Sequence, residues 1–194
     1  MRQIVLACQK GGVGKSTLCL NLLIEALKRG LDAAIYDADP QGSCVLMAQQ
    51  RQRLFGQALP IYTEQPRAAV VIIDTAPHAN AELPAVLRTA NLVLVPTRPA
   101  VLDLAAAATT LEVAKRAHAR TAVVLILPVV RAPEILEARD WVQGHAVPCA
   151  GVVHHRIDIA RSAGQGLGMC EAHPDHPGTR ELARVAEFAL DGLT

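Results

Sequence analysis

Cys8-Gln9-Lys10-Gly11-Gly12-Val13-Gly14-Lys15-Ser16-Thr17 stands between the apolar run Ile4-Val5-Leu6-Ala7 and a leucine-rich stretch, and its reading decides the fold. A bound phosphate needs close approach from several backbone N–H groups, and glycine removes the Cβ that would clash. A helix starting at the end of such a loop points its positive N-terminus at the anion. Lys15 can then reach the β- and γ-phosphates of a nucleotide, and the Ser16 hydroxyl can ligate Mg²⁺. The bland alternative is a glycine-rich turn that binds nothing. Eight contiguous residues, from Lys10 to Thr17, between an apolar strand and a helical pattern weigh against it.

Acids recur at strand ends further along the chain. Ala33-Ala34-Ile35-Tyr36 reads as a short buried strand running into Asp37-Ala38-Asp39-Pro40-Gln41-Gly42. Ala69-Val70-Val71-Ile72-Ile73-Asp74 is a β-branched run ending in an acid, the pattern of a strand buried on both faces. Open α/β sheets bind ligands at the C-terminal ends of their strands. Ser16, Asp37 and Asp74 are therefore the candidate magnesium ligands, directly or through water. Thr75-Ala76-Pro77-His78 would face the γ-phosphate. Read alone, the Asp37–Gly42 stretch could be a turn in which Asp and Gly serve geometry only.

The remaining pattern alternates strands with helices. Ser16–Arg29 reads as a helix stopped by Gly30, with Lys28 and Arg29 suited to its C-terminal end. From Gln49 to Arg67 the chain reads as a helix end and a variable loop, with a short edge strand at Leu59–Thr63. Leu92–Val95 is a buried strand closed by Pro96, and Ala100–Ala119 a long helix. Ala122–Leu127 is a strand followed by a helix from about Pro133 to Gly144. Cys149–His154 is the last strand, Ile157–Gly164 a short helix, and Thr179–Leu190 a final helix with Leu182, Val185, Ala186 and Ala189 on one face. This spacing implies an α/β fold: a doubly wound, mostly parallel sheet of about seven strands with helices on both faces. The 194 residues suit one domain with a substantial core.

The longest apolar runs fall well below the roughly 18 residues needed to span a bilayer. No cleavable signal pattern precedes the first strand, which implies the cytoplasm. Five cysteines (Cys8, Cys19, Cys44, Cys149, Cys170) without a Cys-x-x-Cys pair read as buried thiols, not a disulfide framework or a metal cluster. His154-His155 and His173-x-x-His176 lack a completing ligand set and read as ordinary loop and strand-end histidines. The net charge is +1, so DNA affinity would have to come from a local patch. Four lysines stand against fifteen arginines, and two of the four lie in the phosphate loop, where a compact ammonium is wanted.

The phosphate loop departs from the general pattern at one point: Gln9 stands where a glycine is expected, and Lys10 stands beside it. Lys10-Gly11-Gly12-Val13-Gly14-Lys15-Ser16-Thr17 resembles the deviant Walker A motif of the ParA/MinD family of ATPases. Asp37–Gly42 resembles that family's switch I, and Ile73–Pro77 its Walker B and switch II. Val95-Pro96-Thr97-Arg98-Pro99 with Asp103 is similar to its next conserved segment, and Arg156 through Glu171 to Pro174-Asp175 to its C-terminal part. The chain looks most like the small plasmid-type partition proteins without an N-terminal DNA-binding extension. Two departures stand out: His78 after the single Pro77 in switch II, and a Gly42–Ala69 segment that is short for the family, which would cost it a helix contributing to a partner surface.

The resemblance implies a single P-loop ATPase domain over residues 1–194, using ATP/ADP and Mg²⁺, with slow intrinsic hydrolysis. Two ATP molecules would be sandwiched in a homodimer. Lys15 would bind phosphates in cis and Lys10 those of the partner copy. Gly11, Gly12, Val13 and Gly14 would line the phosphates, Ser16 would ligate Mg²⁺, and Thr17 would contact the α-phosphate. Asp39 would position the attacking water, and Pro174 and Asp175 would lie near the adenine. The ATP dimer would bind DNA without sequence preference through basic residues, here Arg156, Arg161, Arg180 and Arg184. Arg184 also has Glu181 and Glu187 at helical spacing and could simply pair with them.

The function so implied is cytoplasmic, nucleoid-associated positioning or segregation of cargo, plasmid DNA above all, through a centromere-binding, ParB-like adaptor that stimulates hydrolysis. An orphan relative positioning a protein assembly is one alternative. A MinD-like membrane-cycling regulator is another, but it would need a basic amphipathic tail that the sequence does not display, so no membrane partner is expected. A dethiobiotin-synthetase-like enzyme is a third, against which Lys10 and the Asp-Pro-Gln switch count.

Overall fold

Alternate residues of each central strand feed two separate cores, which is why the strands read as unbroken apolar runs. Ile4, Leu6, Val70, Ile72, Leu92, Leu94 and Val124 pack on one side; Val5, Ala7, Val71, Ile73, Val93, Val95 and Val123 pack on the other. Side chains on successive strand residues point to opposite faces, so a sheet covered on both sides needs apolar residues throughout. The computed structural model describes residues 1–77, 83–129 and 133–191.

The strands are β1 (Arg2–Leu6), β2 (Ala33–Asp37), β3 (Ile61–Tyr62), β4 (Val70–Asp74), β5 (Leu92–Thr97), β6 (Thr121–Leu127) and β7 (Cys149–His154). They form one sheet in the order β3-β2-β4-β1-β5-β6-β7, and every pairing is parallel. The helices are α1 (Lys15–Lys28), α2 (Ser43–Phe55), α3 (Leu83–Thr89), α4 (Val101–Arg116), α5 (Glu134–Gly144), α6 (Ile157–Gly164), α7 (Met169–Ala172) and α8 (Pro177–Asp191). Leu18 and Leu22 of α1, Ile159 of α6 and Leu182 and Val185 of α8 cover one face. Leu87 of α3, Leu111 of α4 and Val142 of α5 cover the other. The expected seven-stranded, doubly wound architecture is present, and the sheet is wholly parallel.

Several local expectations change. The strand expected to close at Pro96 runs on to Thr97, with Pro96 paired opposite Val124. Ala7 N–H donates to Leu94 O, so Leu94 and Pro96 turn their backbone polar groups toward β1. At Pro96, β1 has already become the loop, so the missing proline N–H removes no ladder bond. The segment after Gly42, expected to be short enough to lose a partner-surface helix, contains the 13-residue α2, started at Gly42 and stopped at Gly56, and the helix end read from Gln49 onward is its C-terminal half. The edge strand contracts to Ile61–Tyr62. Helices α3 and α7, of seven and four residues, had no counterpart in the sequence reading because neither is long enough to establish a period. Not every cysteine is buried: Cys149 is exposed and Cys170 partly so. His78 lies outside the described residues.

Helix α2 is tied to the C-terminal third by Arg51. Its guanidinium makes a forked ion pair with Glu171 (2.7 Å for both bonds) and donates to Gly166 O (3.0 Å). Burial works against ionisation of Glu171, but the Arg51 hydrogen bonds and the Gly168 N–H hold its carboxyl below the usual range. The close approach depends on Gly166, which has φ +73; a Cβ there would strike Met47 O and lie 2.6 Å from Arg51 Cβ. Gly166→Ala is expected to destabilise the fold by ~2 kcal/mol or more, read as a lower urea midpoint at unchanged m-value.

Candidate functional site

The parallel register brings the loop and the acids to one edge of the sheet. Leu6 of β1 and Asp37 of β2 each stand opposite Asp74 of β4, so the start of the phosphate loop and both strand-end acids share the C-terminal edge. Strand order reverses about β1, which leaves a crevice there for a ligand. From that edge the chain passes through Cys8–Gly14 and enters α1 at Lys15. Gly14 adopts φ 97 at the helix start, a conformation that a side chain would oppose.

Both loop lysines are held by groups of their own subunit. Lys15 is 6% exposed, and its ammonium reaches the carbonyls of Cys8 and Lys10 at 3.4 Å each. These are long bonds, of the kind a phosphate oxygen would replace. Lys10 Nζ lies 2.9 Å from Asp103 Oδ2, near the start of α4. Asp103 is buried and its Oδ1 has no hydrogen-bond partner. Arg98, between β5 and α4, donates to the carbonyl of Gly12, placing a third cation over the loop.

The acids differ in their surroundings. Asp74 is fully buried, and its Oδ1 has no partner. Burial raises its carboxyl to about 6, partly offset by the Ser16 and Cys44 side chains. Asp37 is also raised by burial, although it accepts bonds from Val45 N–H (3.0 Å) and Asp39 N–H (3.3 Å). Asp39 caps its own turn, Oδ1 accepting from Gln41 N–H at 2.9 Å. A divalent cation fits this constellation: hard oxygen donors, one of them buried without a hydrogen-bond partner, face the helix that carries Ser16.

A cavity of about 210 Å³ opens beside the loop, lined by Gly12, Gly14, Thr17, Arg98, Ile126, Val153, His155 and Ile159 among others. It offers a nucleoside an apolar wall with a polar rim. Pro174 and Asp175 are exposed in the turn before α8 and do not line this cavity. His155, Ile159, Arg98 and Asp103 were not singled out as site residues in the sequence. For Arg98 and Asp103 the signal was their place just after a strand's C-terminal end; for the cavity wall there was none.

The four arginines considered for DNA stand in unlike settings. Arg161 and Arg184 are exposed, and Arg180 is exposed while donating to Asp175 O at 3.1 Å. Arg156 instead makes a forked pair with Glu181 (2.6 and 3.0 Å), which also accepts from His154 N–H and meets its Nδ1 at 2.8 Å. Burial alone would raise the Glu181 carboxyl, but Arg156 and then His154 hold it below its ordinary value. Glu181 therefore reaches across to the end of β7, and Arg184 does not take it as an intrahelical partner.

Among known proteins, residues 4–169 match the model of the CobQ/CobB/MinD/ParA nucleotide binding domain. The chain is 39% identical over 106 residues to the maintenance of carboxysome distribution protein A of Gloeobacter kilaueensis, covering 50% of this chain and 49% of that protein. It is 32% identical over 123 residues to Protein ParA of Rhizobium radiobacter, covering 58% and 55%. The chain thus spans about half the length of the curated relatives it matches. The septum site-determining protein MinD of Pyrococcus horikoshii, solved with Mg-ADP, superposes with a TM-score of 0.77 at 17% identity, covering 96% of this chain and 94% of that one. With the family match running through the loop, both strand-end acids and the cavity wall, the chain belongs to the CobQ/CobB/MinD/ParA nucleotide-binding domain family.

Proposed function

We propose that this chain is a magnesium-dependent ATPase switch of the ParA type, in which ATP drives the pairing of two copies and the pair binds DNA without sequence preference. The observation that carries the reading is Lys10, a second loop lysine held on its own subunit by Asp103 at 2.9 Å. On this reading Lys10 leaves Asp103 and reaches the phosphates of the partner copy, as an arginine finger does.

The chain's own groups divide the remaining work. Lys15 exchanges its two long carbonyl bonds for phosphate oxygens, and the Gly11–Gly14 backbone with Thr17 cradles them. Ser16, with Asp37 and Asp74, would hold Mg²⁺, which neutralises charge on the phosphates. Asp39 offers the carboxylate oxygen not used by Gln41 to orient a water for attack. His155 and Ile159 form the wall toward the base, and Pro174 and Asp175, which lie outside the cavity, would approach the base only from the turn before α8. Arg161, Arg180 and Arg184 supply the exposed charge toward DNA, and Arg156 keeps the base wall attached to α8.

The cargo follows from the adaptor that stimulates hydrolysis. A plasmid reached through a ParB-like centromere-binding protein is the first reading, placing the protein on the nucleoid in the cytoplasm. Positioning of a protein assembly is the second, favoured by the 39% identity to a protein named for carboxysome distribution. Among the described residues no helix is long and apolar enough to cross a membrane.

Asp39→Ala should trap the ATP state. With Mg-ATP, light scattering after size exclusion is expected to show a dimer that is absent with ADP. That dimer should retain random-sequence duplex DNA at low salt and release it steeply as salt rises. No dimer in this variant would sink the switch; a dimer indifferent to DNA would leave the protein-assembly reading and exclude partition on the nucleoid. Liposome flotation with ATP is expected to be negative.

A further inference from the structure

Two thiols and a carboxylate meet beneath the candidate magnesium site. Cys19 lies one turn after Ser16 on α1 and Cys44 near the start of α2, while Asp74 ends β4. All three are 0% exposed. One ligand atom from each lies within 4.8 Å of the others, and Cys44 Sγ is 3.3 Å from Asp74 Oδ2. The second Asp74 oxygen is buried without any partner. Core cysteines ordinarily lie among apolar side chains. These two stand against a buried carboxylate, Cys44 donating to its Oδ2 while Oδ1 has no partner, and that is the arrangement of a ligand set.

We propose that Cys19, Cys44 and Asp74 bind a thiophilic divalent cation of the zinc or cadmium class, and that its occupation competes with magnesium for Asp74. Tetrahedral zinc takes thiolate sulfur at about 2.3 Å and carboxylate oxygen at about 2.1 Å, so ligand atoms stand roughly 3.5–3.8 Å apart. The three groups need only small side-chain adjustments to reach that spacing. Three protein donors leave one tetrahedral position for water. Sulfur donors select against Mg²⁺, which demands six oxygens. Binding replaces both thiol protons, which pass to solvent, and the Lys15 ammonium offsets part of the negative charge gathered at the site. The Cys44 thiol donates to the Ser16 carbonyl at 3.8 Å as well as to Asp74, and an ion would replace both of these bonds. Ion binding does not depend on the ATPase reading; the competition does, because it rests on Asp74 as a magnesium ligand.

The test uses the full chain carrying Cys149→Ser and Cys170→Ser, so that the more accessible thiols cannot respond. Titration with cadmium, without nucleotide, is expected to give one ion per chain and the ultraviolet thiolate-to-cadmium charge-transfer band. Calorimetry with zinc should give the same stoichiometry. Cys44→Ser should weaken cadmium binding at least about tenfold, and Cys19→Ala with Cys44→Ala should abolish the band. If the double variant does not fold by circular dichroism, Cys44→Ser alone decides. Absence of the band, or its survival unchanged in Cys44→Ser, overturns the site. Excess Mg-ATP should raise the cadmium needed for half-saturation. Cadmium binding unaffected by Mg-ATP overturns the competition, while failure of the Asp39→Ala dimer alone would strike only the ATPase reading.

Discussion

Lys10→Ala is expected to abolish ATP-dependent pairing and to lower adaptor-stimulated hydrolysis by roughly 10³-fold or more, the range for removing a cation supplied in trans to a phosphoryl transfer. Single-subunit nucleotide binding should survive, because Lys15 and the loop backbone are untouched. Lys10→Gln should behave alike, since charge is what is lost. The variant has a structural cost as well: it leaves Asp103, whose carboxylate is 6% exposed, without its counter-ion. The pair itself contributes little to stability, as Lys10 is 38% exposed and well screened.

Asp103→Asn separates the two effects. It frees Lys10 while keeping the side chain's shape, so pairing in ATP should become easier, not harder. Light scattering over a range of ATP concentrations reads both variants, with circular dichroism as the control for folding. Weaker pairing in Asp103→Asn would mean that Asp103 orients Lys10 for the partner and does not restrain it.

Asp74→Asn is expected to stabilise the nucleotide-free protein while destroying its response to Mg-ATP. Burial raises this carboxyl from 3.8 to about 6, so its proton is held more tightly in the native state than in the unfolded chain. Between about pH 4 and 6 the native state keeps a proton that the unfolded state has released, and stability from this group falls as pH rises through that window. Above it the whole penalty applies, about 3 kcal/mol for roughly two pH units at 1.36 kcal/mol each. An amide carries no such charge. At pH 7.5 the variant should melt several degrees higher, at roughly 2–4 °C per kcal/mol for a chain of this size. Acidification toward pH 5 should close the gap. Mg-ADP should raise the melting point of the wild type and leave that of Asp74→Asn unmoved. A variant no more stable than wild type at pH 7.5 would show that the buried carboxylate is already compensated.

The cost at Asp74 also explains why the acid could be identified early and its neighbours could not. An aspartate ending Val70-Val71-Ile72-Ile73 breaks an apolar pattern, and a charge placed where only burial is possible marks a ligand site. Cys19 and Cys44 break no pattern, because thiols pass for core residues until their positions are known. His155 and Ile159 form the cavity wall only because α6 packs beside the phosphate loop.

The features legible along the chain are local: the phosphate loop, the strands apolar on both faces, the helices long enough to show a period, and hence the parallel α/β order. These follow from backbone sterics and burial acting over a few residues, so they are written in contiguous stretches. The partners emerge in the folded chain alone: Lys10 with Asp103, Arg51 with Glu171, Arg156 with Glu181, and Cys19 with Cys44 and Asp74. Such pairs form where the sheet order and crossovers bring distant segments together, and a charge or thiol finds its counterpart by distance in space, which separation along the chain does not encode.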